Sequence, residues 1–183
     1  PADIKKNERW RVVVVPFDGE VEGQSTSAAV SVINTPPEAP KIALEPSSPR
    51  IEDRIRVRIT ADAPDADQDS IHYAYRYWVN ERPLDLPQSL ATVPAGALRK
   101  HQELRVRVTA WDDEEAGAST EASLVVQNTP PAAPKIAIWP QRPETSQPLQ
   151  LTVLEQEPDA DGDRIDFRHQ WTRDGEPVDY PLE

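Results

Sequence analysis

Apolar and polar residues alternate along several short segments of the chain, which is the period of a half-buried β-strand. The apolar positions of the three clearest rows are Ile55, Val57 and Ile59; Ile71, Tyr73, Tyr75, Tyr77 and Val79; and Leu104, Val106, Val108 and Ala110. Shorter strands are predicted at residues 41–44, 90–93 and 122–126. No segment shows a convincing helical period, although residues 94–101 could form one helical turn. The pattern therefore predicts an all-β fold.

The sequence also repeats itself at a fixed distance. Residues 34–43 return as residues 128–137, at an offset of 94 positions. The same offset relates residues 64–69 to residues 158–163. A period of this length is typical of an array of domains, because the units of short-repeat solenoids have about 20 to 50 residues.

The offset divides the chain into three parts. Residues 35–128 are predicted to form one complete repeat, residues 1–34 the C-terminal part of a preceding repeat, and residues 129–183 the N-terminal part of a following repeat. About seven short strands in one such unit, separated by Pro, Gly and Asp turns, are typical of an immunoglobulin-like β-sandwich. We therefore expect tandem immunoglobulin-like β-sandwich repeats of about 94 residues.

The two end parts are complementary pieces of one repeat. Position 183 corresponds to position 89 and position 1 to position 95, so only residues 90–94 lack a counterpart. The chain begins with Pro1 and contains no Met, so we expect it to be a window of a longer product. The missing strands could come from that longer chain, which we expect for a natural protein, or from a neighbouring identical chain in a head-to-tail contact.

Composition and charge narrow the range of partners. The 20 prolines fall at segment edges, where they punctuate strands and linkers. The formal net charge is −12, so nucleic acid and anionic membranes would meet repulsion, and neither is expected as a partner. No apolar run reaches the length of about 18 to 20 residues of a membrane span, so no membrane insertion is expected. Cysteine is absent, which excludes disulfides and thiolate chemistry.

Two acidic loops carry the most distinctive chemistry. Aspartates alternate in both of them, at Asp65, Asp67 and Asp69 and again at Asp159, Asp161 and Asp163. Calcium takes six to eight oxygen ligands, and a D-x-D-x-D loop brings several carboxylates together. The six aspartates are therefore candidate metal ligands, and calcium is the candidate cofactor. Alternatively, they accept hydrogen bonds from nearby backbone N–H groups and close the loops without a metal.

Two tryptophans are candidate binding residues, because Trp78 and Trp111 fall on the outward phase of their strands. Exposed aromatic side chains can stack on sugars or anchor a protein partner. They can also cover a neighbouring domain or a sandwich corner, and Phe17, one offset before Trp111, favours that structural interpretation. No nucleophile motif, phosphate loop or zinc-type histidine pair is found in the sequence, so no catalytic residue and no enzymatic activity are expected.

Several motifs resemble those of bacterial immunoglobulin-like repeats. The strand at residues 10–14, followed by Asp18-Gly19 and the Asn-Thr-Pro-Pro linker at residues 34–37, resembles the last two strands and linker of fibronectin type III-like repeats. The loop at residues 159–163, with the apolar residues after it, resembles the loop and third strand of PKD-like and cadherin-like repeats. The resemblance implies spacer, stalk or adhesion modules without catalytic activity, located outside the cell or on a bacterial cell surface.

Two functional hypotheses follow. The first is a structural spacer, stalk or filament-forming segment of a large extracellular surface protein, whose partners are neighbouring repeats of the same or identical chains. Prolines in the linkers would restrict the backbone and keep successive domains extended. The second is an adhesion module that contacts a surface glycan or protein, with or without the assistance of calcium.

Overall fold

The computed structural model describes residues 4–178, and the regular elements in that range are β-strands without a helix. In chain order they are β1 (Arg9–Val14), β2 (Thr26–Ser31), β3 (Lys41–Glu45), β4 (Ile55–Ala61), β5 (His72–Val79), β6 (Arg82–Leu84), β7 (Thr92–Val93), β8 (Glu103–Trp111), β9 (Ala116–Val125), β10 (Lys135–Trp139), β11 (Gln150–Glu155), β12 (Trp171–Arg173) and β13 (Glu176–Val178). All strand pairs within these residues are antiparallel. The predicted all-β fold class is confirmed.

Strands β3 to β9 form two sheets, of which one has the order β3-β4-β7 and the other the order β6-β5-β8-β9. The register places Tyr75 opposite Val108 and Tyr77 opposite Val106, so two of the apolar rows lie side by side in one sheet. Two antiparallel sheets that enclose a common core in this way form an immunoglobulin-like β-sandwich. We call this unit the central sandwich.

The core of the central sandwich lies between its two sheets. Its buried members are Ile55, Val57 and Val93 from the smaller sheet, and Tyr75, Tyr77, Leu104, Val106, Val108 and Leu124 from the larger one, together with Leu98 and Val126. Each fully buried Val or Leu side chain contributes about 1.5 to 3 kcal/mol relative to an exposed one. The hydroxyl of Tyr77 donates a hydrogen bond to the carbonyl oxygen of Leu90, which satisfies a polar atom next to this core.

Some details differ from the expectations drawn from the sequence. Strand β6 is not among the predicted strands, because Arg82 and Pro83 give it no apolar alternation. Strand β9 begins at Ala116, well before the predicted start at residue 122. Residues 94–101 form turns without a helix, and the N–H of Ala97 donates to the carbonyl oxygen of Pro94 at 3.3 Å.

The linker before β3 packs directly on β9. The side chain of Pro37 is fully buried, and its carbonyl oxygen accepts a hydrogen bond from the N–H of Ala118 at 3.0 Å. A Cβ atom on Gly117 would lie 2.6 Å from Pro37 Cγ, so only glycine leaves room for the linker. The N–H of Glu38 donates to the carbonyl oxygen of Pro64 at 2.9 Å. This part of the chain is therefore attached to the sandwich along its length.

Three further two-stranded sheets flank the central sandwich: β1-β2 before it, and β10-β11 and β12-β13 after it. Their apolar residues are largely exposed, among them Val12 and Val14 in β1 and Ile136 and Ile138 in β10. Within residues 4–178, no helix is long and apolar enough to cross a membrane. The domain boundaries at residues 34 and 128 stay a prediction.

Candidate functional site

The first acidic loop, between β4 and β5, is closed by one of its own aspartates. Asp65 Oδ1 accepts hydrogen bonds from the backbone N–H groups of Asp67 at 2.9 Å and of Asp69 at 3.0 Å. Short polar side chains make such local bonds readily, and the bonds fix the direction of the side chains that follow. Asp67 and Asp69 are thereby presented to the segment that precedes β3.

Asp67 binds the linker. Its Oδ2 atom accepts a hydrogen bond from the backbone N–H of Thr35 at 2.8 Å. The next two residues are prolines, which have no N–H and a restricted backbone. The bond from Thr35 therefore fixes the linker at the last backbone donor before the two prolines.

Asp69 binds a lysine from the segment before the linker. Lys6 Nζ lies 2.5 Å from Asp69 Oδ2 and 2.7 Å from Glu114 Oε1, and it donates to Asn34 Oδ1 at 3.3 Å. The side chains of Lys6 and Asp69 are only 21% and 20% exposed, so solvent screens this pair less than a fully exposed one. The hydrogen bond to Asp69 is the main reason why the pKa of Lys6 is raised above its usual range.

Asp112, at the end of β8, holds the linker from the other side. Its Oδ2 atom accepts a hydrogen bond from Asn34 Nδ2 at 2.7 Å, and its Oδ1 atom accepts from the N–H groups of Glu114 at 2.9 Å and Glu115 at 2.8 Å. The residue is only 2% exposed. These donors, Asn34 first among them, lower the pKa of Asp112 from 3.8 to about 2. The carboxylate is therefore charged at neutral pH, and both of its oxygens accept hydrogen bonds.

The same arrangement recurs 94 positions later, at the second acidic loop. Asp159 Oδ1 accepts from the N–H groups of Asp161 at 2.9 Å and Asp163 at 3.2 Å. Asp161 Oδ2 accepts from the N–H of Thr129 at 2.5 Å, and Lys100 pairs with Asp163 and donates to Asn128 at 3.2 Å. The hydrogen bond to Asp163 raises the pKa of Lys100. We call the contacts of Lys6, Asn34 and Thr35 the first junction and those of Lys100, Asn128 and Thr129 the second junction.

The structure brings the predicted metal ligands together in two different ways. Carboxylate oxygens of Asp65 and Asp69 approach each other with that of Asp112, whereas Asp67 belongs to the linker contact. In the second loop, all three predicted residues, Asp159, Asp161 and Asp163, group together. Asp65 Oδ2 and Asp161 Oδ1 are buried and accept no hydrogen bond within residues 4–178.

A cation is already present at each loop, since a lysine ammonium group lies against Asp69 or Asp163. Three carboxylates carry six oxygens at most, which is the lower end of the six to eight oxygen ligands that calcium takes. Hydrogen bonds and ion pairs contribute to the geometry of both loops. Calcium binding by the six aspartates stays a prediction.

The two candidate binding tryptophans differ in their surroundings. Trp78 is half-buried beneath two arginines, and the guanidinium carbons of Arg105 and Arg107 lie 4.5 and 5.5 Å from its ring centroid. Cation–π contacts of this kind occupy the face that a sugar would stack on. Trp111 is 42% exposed, next to a register shift between β8 and β9. Binding by either residue stays a prediction.

Sequence reasoning missed several participants, among them Lys6, Lys100 and Asp112. Each of these three had a signal, because Lys6 recurs as Lys100 and Asp18 recurs as Asp112 at the same offset of 94. Asp18 also accepts the N–H groups of Glu20 and Val21, as Asp112 accepts those of its own loop. A recurrence shows that a position has a role in the repeat, but it does not show which residue it contacts.

Comparison with known proteins adds little to this description of the candidate site. No protein-family model and no curated protein matches the sequence. Among solved structures, the chain is similar to the FN1-FN3 domains of chicken CNTN1, with 15% sequence identity and a TM-score of 0.35. The match covers 68% of this chain and 42% of that one, so this chain spans less than half of its length. A likeness at this level supports no inference about function, and the fold class rests on the strand order and burial described above.

Proposed function

We propose that the chain is a spacer or stalk segment of an extracellular surface protein, in which successive β-sandwich units are held in a fixed relative orientation. The observation that carries the proposal is the recurrence of the same three contacts at both junctions: lysine to aspartate, threonine N–H to aspartate, and aspartate to its own loop. A cell-surface location, in bacteria, follows from the sequence resemblance and belongs to the proposal.

A spacer must transmit orientation from one unit to the next. The contacts of the first junction restrain the linker on which this orientation depends. The linker is bonded through Thr35 to the acidic loop and through Pro37 to β9, so few of its backbone torsions are free. Lys6 reaches past the linker from the preceding segment to Asp69 and Glu114. Contacts on both sides of a short proline-containing linker oppose bending in more than one direction.

Small-angle X-ray scattering tests the proposal on the whole chain. We expect the wild type, eluted dilute from a sizing column, to fit one conformation. The double variant Asp67→Ala and Asp161→Ala should need an ensemble with a broader range of radii, because both linkers lose their aspartate contact.

A matched control separates this effect from loss of charge. Asp85→Ala with Asp166→Ala removes the same number of charges at exposed positions that make no hydrogen bond to either linker among the described contacts, and its scattering should match that of the wild type. A wild type that already needs a broad ensemble would rule out a rigid spacer.

A further inference from the structure

The outer face of the larger sheet of the central sandwich has two arginines directly opposite each other. Arg76 in β5 lies opposite Arg107 in β8, and both are exposed between buried neighbours. Side chains at such positions have their Cβ atoms about 4.5 to 5.5 Å apart, and like charges there repel each other. Arg105 lies on the same face, two residues along β8. We call the outer surface around Arg76, Arg105 and Arg107 the arginine face.

The carboxylates on the arginine face do not balance its arginines. Glu121 lies 2.6 Å from Arg107 Nε and 3.4 Å from Arg105 Nη1, so two arginines share it. Glu81 pairs with Arg105 at 2.8 Å. Within residues 4–178, no carboxylate pairs with Arg76, and the ion pair of Arg107 engages its Nε atom alone. The guanidinium group of Arg76 and the terminal nitrogens of Arg107 can therefore donate to a further anionic group.

Trp78 orders the arginine face from below. Its ring centroid lies 4.5 Å from the guanidinium carbon of Arg105 and 5.5 Å from that of Arg107. Contacts between a guanidinium group and an indole ring are favourable, and they restrict the motion of the long arginine side chain. A side chain that is already ordered loses less entropy when it binds a ligand. Arg107 is therefore partly preorganised for binding.

The charged groups of the arginine face are specific to the central sandwich. The buried Val106 and Val108 correspond to further valines one offset earlier, at Val12 and Val14, so the core pattern recurs. The outward positions do not recur. The equivalents of Arg76, Trp78, Arg107 and Glu121 are Gln170, Thr172, Val13 and Ser27. The repeat architecture therefore explains the core of this sheet, but it does not explain the arginines on its outer face.

The arginine face is separate from both junctions. The first junction includes Asp112, just after β8, and the second includes Lys100, just before β8. Arg107 is the middle residue of β8, so it lies about 13 Å from either end of the strand at about 3.3 Å per residue. All four strands of the sheet belong to the central sandwich, so the face is not an edge left open by a partial repeat.

The chemistry of the arginine face fits a hydrophilic ligand that carries carboxylates. A guanidinium group binds a carboxylate through two parallel hydrogen bonds. Thr109, Ser119 and Ser123 place hydroxyl groups beside the arginines. The ring of Trp78 is half-buried under guanidinium groups, so the surroundings of Arg76 and Arg107 offer no apolar anchor of the kind that protein partners use. Sugars, by contrast, bind through their hydroxyl groups.

We propose that Arg76 and Arg107 form a binding site for a glycan that carries sugar carboxylates, with Thr109, Ser119 and Ser123 in contact with the sugar hydroxyls. The net charge of −12 repels densely charged polymers such as nucleic acid, which has one charge per about 1.7 Å. A glycan with at most one carboxylate per sugar meets less repulsion. This binding role is additional to that of a spacer and does not depend on the orientation of successive units.

Titration of the whole chain with short oligosaccharides, followed by the NMR signals of backbone amides, tests the proposal. The ligands are oligomers of galacturonate, alginate and hyaluronan, with polyglutamate as a carboxylate polymer without sugars. At least one of the glycans should bind, with shifts centred on β5, β8 and β9. Arg76→Gln and Arg107→Gln should each bind that glycan about 10-fold more weakly or worse, because each loses a bidentate partner of the carboxylate.

Arg56→Gln is the matched control. Arg56 is an exposed arginine on the outer face of the smaller sheet, and its equivalent one offset later is Gln150. This variant loses the same charge and should bind the glycan as the wild type does. An unchanged thermal transition shows that each variant is folded. No binding of any of the three glycans, equally tight binding of polyglutamate, or a loss of affinity in Arg56→Gln equal to that in Arg76→Gln would each overturn the proposal.

Discussion

Lys6 and Asp69 form an ion pair across 63 positions of sequence, and Lys100 and Asp163 form the same pair across the same separation. Two contacts that match in residue type and spacing indicate that the contact belongs to the repeat and not to one loop. In each case the lysine precedes a linker and the aspartate follows it, so the pair bridges the linker. Each acidic loop therefore contacts both a linker and the segment that precedes it.

Replacing Gly117 by alanine should disrupt the attachment of the linker to β9. The added Cβ would lie 2.6 Å from Pro37 Cγ and closer still to the carbonyl oxygen of Pro37, so the linker must move. We expect Gly117→Ala to lower the free energy of unfolding by about 1 to 3 kcal/mol, the usual cost of overpacking. Urea unfolding followed by tryptophan fluorescence measures it. Ser123→Ala, at an exposed position on the same strand, should have little effect, and equal stability of both variants would contradict the packing described for Pro37.

Calcium should leave the thermal stability of the chain unchanged. A ligand that binds the native state preferentially raises the melting temperature. The acidic loops already hold a lysine ammonium group and their own backbone N–H groups, so we expect no such increase. Calorimetry in chelator and in millimolar calcium compares the two conditions. A clear rise in melting temperature with calcium would show that the six aspartates form a metal site after all.

Acid should weaken the first junction through Asp112. Its pKa in the folded chain is about 2, below the ordinary value of 3.8, so its charged form stabilises the fold. That contribution is fully present above pH 3.8 and is lost as the pH falls towards about 2. In Asp112→Asn this titration is absent, so unfolding stability should depend less steeply on pH in that window. Identical pH profiles for the variant and the wild type would contradict the assignment.

Much of the central sandwich could be predicted from the sequence, because its apolar rows alternate with polar residues, most regularly in β8. The row from Leu104 to Ala110 is buried at every second residue, as the pattern indicates. The start of β9 could not be found in this way, since the small residues at Ala116 and Gly117 carry no apolar alternation. Strand β6 is set by its pairing with β5, which is a tertiary property that a three-residue segment does not encode by itself.

The candidate site was predicted only in part. The alternating aspartates identified the two loops, and the local hydrogen bonds of Asp65 and Asp159 are those that aspartate makes in turns. The partners of Asp67 and Asp69 lie more than thirty positions away, in segments whose approach depends on the packing of the linker. A single sequence does not determine such distant pairs.

The central claim is that the junction contacts hold neighbouring units in one orientation, and a distance measured across the first junction tests it most directly. The chain has no cysteine, so spin labels can be placed at Ala29→Cys and Arg56→Cys, both exposed positions on either side of the linker. Pulsed electron–electron double resonance, with labelled chains diluted in unlabelled ones, gives the distribution of distances within single chains. We predict one narrow peak for the wild type and for the control Lys5→Met, and a clearly broader distribution for Lys6→Met, which loses its ion pairs with Asp69 and Glu114. A broad distribution in the wild type, or a Lys6→Met distribution as narrow as that of the wild type, would contradict the claim.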